Sequence, residues 1–201
     1  MKPVSTITGP GVPLLIDNID TDTIIPSREM RSTGRTGLAD GLFAPWRYSN
    51  ADQRLADPAF VLNQPDARGT RLLLGGQNFG CGSSREHAVW ALAEYGIEAI
   101  IAPSFAPIFK SNCIRNGLLP IELPEAVVRS LAWQAVTINL PKQMVTAGST
   151  AWPFAIDAEA KAMLLEGLDV IDLTLKHRDA IAAWTAADRA ARPWVYLEKR
   201  A

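Results

Sequence analysis

The sequence predicts an α/β fold with a mixed, partly parallel sheet flanked by helices. Three observations carry that expectation. Between residues 72 and 121, short apolar runs alternate with helical patterns; residues 136 to 147 alternate about a turn; and Ala-rich amphipathic stretches close the chain.

In order, Val12-Pro-Leu-Leu-Ile16 reads as a first short strand that ends in the acidic turn Asp17-Asn-Ile-Asp-Thr-Asp22. A calcium loop counted from Asp20 fails, because its sixth position is Ile25 and its twelfth is Arg31. Asp and Asn in such a turn commonly close it through their own backbone. Residues 27 to 70 carry scattered arginines, glycines and prolines without periodicity and read as a long functional loop, kept from simple disorder by Trp46, Tyr48 and Phe60. Leu72-Leu-Leu74 is a buried strand leading into Gly75-Gly-Gln-Asn-Phe-Gly-Cys-Gly-Ser-Ser-Arg-Glu-His87 and a helix with Ala88, Ala91, Leu92 and Tyr95 on one face, stopped at Gly96. Strand Ala99–Ala102, a second helix opening at Pro103-Ser104 and strand Leu118–Ile121 follow, so the core is parallel with right-handed crossovers. A helix over 124–133, a hairpin of 136–140 with 144–147 and a strand over 152–156 add an antiparallel layer. Helices over 158–167 and 176–190 complete what reads as one domain over 1–201.

Composition narrows the function. With 201 residues, 48% hydrophobic, and a formal net charge of −1, the chain gives no support for nucleic-acid binding or an electrostatic membrane anchor. The polar start Met1-Lys-Pro-Val-Ser-Thr6 lacks a signal h-region, and no apolar stretch approaches a membrane span, so a cytoplasmic enzyme or enzyme part is expected. Cys81 and Cys113 lack C-x-x-C spacing, which disfavours a disulfide framework or a self-contained metal site.

Chemistry concentrates in the glycine-rich turn. Gly80 and Gly82 allow a close approach of backbone to ligand, Arg85 supplies a forked cation suited to a carboxylate, and Ser83 and Ser84 sit beside it. The turn is not a P-loop, since Cys81-Gly82 follows Gly80. It is not a dinucleotide fingerprint, with Arg at 85, nor a nucleophile elbow, with Glu at 86. The simpler reading of Ser83-Ser-Arg-Glu86 is a capping box, Ser83 accepting from the Glu86 N–H. His87 either orients a ligand or bonds the backbone, and Asn112, Arg115 and Asn116 either cap the second helix or face a substrate.

Asn78-Phe-Gly-Cys-Gly-Ser-Ser-Arg-Glu-His87, with Asp20-Thr-Asp-Thr-Ile-Ile-Pro26, Arg35-Thr-Gly37, Ser104-Phe-Ala-Pro-Ile-Phe109 and Gly117-Leu-Leu-Pro120, resembles the small subunits of 3-isopropylmalate dehydratase, in the aconitase superfamily. The resemblance runs from about residue 10 to 185. It implies a swivelling β/β/α domain like the last domain of aconitase, and a large partner that carries a [4Fe–4S] cluster whose open iron binds substrate. It implies a hydro-lyase that interconverts 2- and 3-isopropylmalate through isopropylmaleate in leucine biosynthesis, inactive without its large subunit. By the same match Ser83 is the base that takes a proton from carbon, Arg85 and Ser84 bind a substrate carboxylate, and Arg35 or Arg31 binds a second one, spacing favouring Arg35. Asp20, Asp22, Gly80, Gly82 and His87 support the site. The match departs at Glu29-Met30, where the pattern implies Phe-Leu or Tyr-Leu. The alternatives are therefore a paralogous subunit for another branched hydroxy-diacid, of citramalate or dimethylmalate type, or a non-catalytic carboxylate-binding module.

Overall fold

The computed structural model describes residues 1–30 and 34–196. Strand β1 (Thr6–Leu14) is followed by α1 (Thr21–Ile24), α2 (Ala44–Arg47) and a small hairpin of β2 (Tyr48–Asn50) and β3 (Leu55–Ala56). Then come β4 (Leu72–Gly75), α3 (Glu86–Tyr95), β5 (Ala99–Ala102), α4 (Pro107–Arg115), β6 (Leu119–Glu122) and α5 (Glu125–Ser130). The chain continues through β7 (Ala135–Asn139), β8 (Met144–Ala147), β9 (Thr150–Pro153), α6 (Ala158–Glu166), α7 (Val170–Leu175) and α8 (Arg178–Ala191).

The main sheet has seven strands in the order β6-β5-β4-β1-β7-β8-β9. Its parallel and antiparallel parts are not separate layers. They share β1, whose residues 6–10 pair antiparallel with β7 and whose residues 11–14 pair parallel with β4. Gly11 sits where one ladder gives way to the other, and a Cβ there would lie 2.6 Å from the Leu131 carbonyl oxygen. A side chain would push the end of α5 away from the seam.

The central strands are apolar throughout because both faces are covered. Leu73 and Ile100 join one buried cluster with Val89 and Leu92 of α3 and with Phe109 and Cys113 of α4. Leu72, Leu74, Ala99 and Ile101 join the other, with Val128, Val136, Ile138, Val145 and Leu164. Each large aliphatic side chain so buried contributes roughly 1.5–3 kcal/mol relative to exposure.

Several expectations shift. The first strand begins at Thr6 and ends at Leu14, so Leu15 and Ile16 belong to the turn. The second helix begins at Pro107, because Ser104 does not cap it: its Oγ accepts from the Asn78 N–H at 2.8 Å, and Phe79 pairs with Phe105 in a parallel bridge. The described part of the expected long loop 27–70, residues 27–30 and 34–70, is packed into short turns and helices, with Leu38, Leu42 and Phe43 at most 1% exposed. Near the end of the chain an extra helix, α7, starts at a capping box of Asp169 with Asp172, and α8 therefore begins at Arg178. Among the described residues no helix is long and apolar enough to cross a membrane.

Replacing Leu73 by Ala should leave a cavity under α3 and lower the unfolding free energy by about 2–5 kcal/mol. Urea unfolding of the purified chain measures it.

Candidate active site

Parallel strands leave their ligand site outside their carboxyl ends, and three loops meet there: 15–20 after β1, 76–85 after β4 and 103–106 after β5. Backbone bonds lace them together. Asn18 N–H donates to Gln77 O at 2.8 Å, Gly80 N–H to Ile19 O at 2.7 Å, Thr21 N–H to Cys81 O at 2.9 Å, and Phe79 N–H to Ser104 O at 3.0 Å. Side chains add to the lacing, with Asp17 Oδ1 accepting from Gln77 N–H at 2.7 Å and Asn78 Nδ2 donating to Asn18 Oδ1 at 2.9 Å. The acidic turn and the glycine turn thus form one unit.

The two glycines have different reasons. Gly80 has φ +77°, and a Cβ on it would stand 2.1 Å from the Phe109 ring, so the turn lies flat on α4. Gly82 has φ +90° and faces the Cβ of Asp20 at 3.3 Å. Together they turn the backbone so that Ser83 and Ser84 emerge exposed. The Ser83 Oγ lies 3.2 Å from the Oγ1 of Thr21, and Thr21 also donates to the Ser83 carbonyl at 3.2 Å. Thr21 is 1% exposed.

No capping box forms from Ser83. The helix α3 starts at Glu86, with Arg85 at the cap position and no side-chain cap, so Ser83 lies too far before the first turn. Glu86 instead accepts from Asn116 Nδ2 at 2.7 Å, and Asn116 Oδ1 accepts from Trp90 Nε1 at 2.9 Å. Asn116 therefore ties α4 to α3 rather than facing a ligand.

Arg85 forms an ion pair with Asp22. Asp20 caps α1, its Oδ1 accepting from Thr23 N–H at 2.6 Å, so among the described residues it is Asp22, not Asp20, that pairs with a cation. The His87 ring packs against Trp90 at 4.6 Å between centroids. The Arg35 guanidinium lies over the same Trp90, 5.1 Å from its centroid, and makes no ion pair among the described residues. Arg31 lies outside the described residues. Glu94, further along α3, accepts from the N–H groups of Gly37, Leu38 and Ala39 at 2.7, 2.6 and 2.9 Å. Burial pushes its carboxyl up, but these three donors prevail and hold it below the usual carboxylate range.

Glu29 and Met30 turn inward. Glu29 is 8% exposed and is held by both terminal nitrogens of Arg54, at 3.3 and 2.5 Å, while Met30 packs against the core. A shallow recess of about 470 Å³, lined by Asp20, Asp22, Thr23, Ser27 and Arg28, adjoins the site. Another recess, of about 420 Å³, lies at the amino ends of the parallel strands beside Lys2, Arg71, Glu98 and Asn116, away from Ser83, Arg85 and Asp22.

The donor set does not fit an iron–sulfur cluster, which is held by thiolates. Among the described residues no group of three or more His, Cys, Asp or Glu could hold a metal ion. Burial pushes the Cys113 thiol well up, and the Cys81 thiol donates to the Asn18 carbonyl at 3.3 Å.

Thr21, Trp90 and Glu94 are not singled out by the sequence reading. Trp90 and Glu94 follow His87 at helical spacing, and that stripe is the available signal. The role of Thr21 depends on a contact 62 residues away and leaves no local trace.

Comparison with known proteins places these features in context. Residues 1–126 match the family described as Aconitase C-terminal domain, and residues 171–196 match the C-terminal domain of the 3-isopropylmalate dehydratase small subunit. The 3-isopropylmalate dehydratase small subunit of Cupriavidus necator is 52% identical, over 98% of this chain and 100% of its own length. Those of Chloroflexus aurantiacus and Paramagnetospirillum magneticum are 48% and 44% identical, over 93% and 97% of this chain and 96% and 100% of theirs. The crystal structure of 3-isopropylmalate dehydratase (leuD) from Methanocaldococcus jannaschii is 29% identical, with a TM-score of 0.66 over 90% of this chain and 99% of that one.

Gly80→Ala should destabilise the chain by on the order of 2–5 kcal/mol, because backbone strain adds to the clash with Phe109. Gly148→Ala, at φ +56° in open space, carries the strain alone and should cost about 1–2 kcal/mol. Thermal unfolding of the two variants separates the terms.

Proposed function

The chain belongs to the family of 3-isopropylmalate dehydratase small subunits, with the fold of the aconitase C-terminal domain, and on that premise we propose how it works. With a large subunit it interconverts 2- and 3-isopropylmalate by removing and restoring water through isopropylmaleate. The observation that carries the reading is the exposed Ser83 hydroxyl, 3.2 Å from the buried hydroxyl of Thr21, with Arg85 two residues on.

Ser83 is the base. As an alkoxide its oxygen takes the proton from a substrate carbon, and the electron pair of that C–H bond becomes the new C=C bond. The hydroxyl of the neighbouring carbon leaves with the C–O pair, taking a proton from a donor that the large subunit would supply, as water. Serine is a weak base in water, so its alkoxide needs donors and a dry setting. Thr21 supplies a donor. In the resting chain the Thr21 hydroxyl bonds the Ser83 carbonyl, and a rotation about its C–O bond turns the same proton toward the Ser83 oxygen. The exposure of Ser83 means that dryness comes from closure of the large subunit over it.

Arg85 and Ser84 take one carboxylate of the substrate. Arg85 reaches it by exchanging its partner Asp22, and the side chains of that pair are 25% and 57% exposed. Exposed ion pairs are worth only about 0–1 kcal/mol, so the exchange costs little. Arg35, without a carboxylate partner among the described residues and braced on Trp90, takes the second carboxylate. Glu29-Met30 gives no support to a different diacid, because Glu29 is neutralised by Arg54 and Met30 lies against the core. Since these residues do not fit a [4Fe–4S] cluster, we assign the cluster to the large subunit.

The test is anaerobic turnover of 2-isopropylmalate by this chain mixed with a cluster-loaded large subunit. Neither chain alone should turn over, and Ser83→Ala should lower kcat by about 10²–10⁴-fold with the complex intact. Wild-type turnover by that variant would remove Ser83 from the mechanism. Thr21→Val, which keeps shape but loses the donor, should move the acidic limb of the pH–rate profile upward, whereas Thr21→Ser should leave it in place.

A further inference from the structure

Helix α3 carries a stripe of three side chains, His87, Trp90 and Glu94, at the spacing that places them on one face. The segment just before the helix holds Ser83 and Arg85. The stripe itself holds the segment bearing Arg35: Trp90 lies beneath the guanidinium at 5.1 Å, and Glu94 takes three successive backbone N–H groups two to four residues further on. Trp90 is fixed in turn by Asn116, through its indole N–H at 2.9 Å. Two cations that meet the ends of one small diacid are thus tied to a single rigid element.

We propose that Glu94 is a positioning residue for Arg35. By clamping Gly37, Leu38 and Ala39 to α3, its carboxylate keeps the Arg35 guanidinium on Trp90 and in register with Ser83 and Arg85. The inference rests on the reading of Arg35 as a carboxylate contact and adds to it a residue that touches neither substrate nor reacting atoms. Three short charge-assisted bonds from consecutive amides amount to more than a surface contact needs. Gly37 has φ +83°, which turns its N–H toward the same carboxylate as its two successors.

The chemistry of the clamp defines what replaces it. Gln offers one acceptor oxygen and turns an amide N–H₂ toward donors, so it breaks part of the set, whereas Asp keeps the charge at a shorter reach. The clamp contributes stability above the ordinary carboxylate pKa and loses it as pH falls through the depressed folded value.

The experiment uses the two-subunit enzyme with Glu94→Ala, Glu94→Gln, Glu94→Asp, Arg35→Ala and the Arg35→Ala/Glu94→Ala pair, together with amide hydrogen exchange of each full-length chain. Glu94→Ala should speed exchange across 37–39 while protection of β4 and β5 stays unchanged. It should raise KM for 2-isopropylmalate by about 10- to 100-fold with a much smaller change in kcat. Glu94→Gln should fall between, Glu94→Asp should recover most of the loss, and the double variant should be no worse than Arg35→Ala. Unchanged exchange in Glu94→Ala would show that the clamp does not hold the segment. Faster exchange with a normal KM, or losses that add in the double variant, would overturn the positioning role. A normal KM in Arg35→Ala would overturn it by a different route, by removing Arg35 from substrate binding.

Discussion

The backbone of the acidic turn and that of the glycine turn exchange hydrogen bonds at three points, Asn18 with Gln77, Ile19 with Gly80 and Thr21 with Cys81. Residues 15–20 and 76–85 of these turns are not regular structure, and joined by these bonds each is held in shape by the other. Joined edge to edge at the ends of adjacent parallel strands, they fix each other. The buried hydroxyl of Thr21 comes to Ser83 through this joint, as does Asp22 to Arg85. A turn that must lie flat on a neighbour cannot carry a Cβ at the point of closest approach, and that is why the chain has Gly80 above Phe109, whereas Gly82, 3.3 Å from the Asp20 side chain, is required by its φ of +90°.

Charge at the site follows the same economy. Under the proposed function the protein binds a dianion, which needs cations in place before the ligand arrives, and unpaired cations repel one another. Here one arginine is paired with Asp22 in a setting open to water, and the other rests on an indole face. An aromatic ring attracts a cation without neutralising it. The buried ion pair nearby, Glu29 with Arg54, does the opposite work. Breaking it would leave the Glu29 carboxylate, buried under Gly41, to the more distant Arg28 alone; the missing side chain of Gly41 makes room for Glu29.

Much of this was legible in the sequence. The strand–helix alternation from Leu72 to Ile121 reads directly, because fully buried parallel strands are apolar at every position and the helices between them are stopped by Gly96 and Gly117. The glycine turn was readable as a turn from its composition, and Gly80 and Gly82 take the positive φ values that such a turn requires. What could not be read were the features decided by distant partners. Ser83 has the spacing of a helix cap, yet the local pattern cannot reveal that the helix waits until Glu86. Ser104 likewise looks like a cap and serves another loop. Residues 34–70 lack periodicity because their order comes from Leu38, Leu42 and Phe43 inserting into a core built by other segments. Glu94 has the composition of a solvated helix residue, and only the approach of Gly37 to Ala39 gives it a task.

The seam in strand β1 has a consequence for how the chain is made. Its residues 6–10 have their partners at 135–139, while residues 11–14 pair with 72–75. During synthesis the first strand leaves the ribosome long before either partner exists, and its two halves are completed at different times. The parallel half closes first, and with it the joint between the acidic and glycine turns. The antiparallel half stays open until Asn139 has emerged, so an edge of the sheet is exposed to other chains while the 64 residues from 76 to 139 are made. Pro10, with no N–H to offer, and Gly9 and Gly11 on either side make that waiting strand a poor template for wrong pairing.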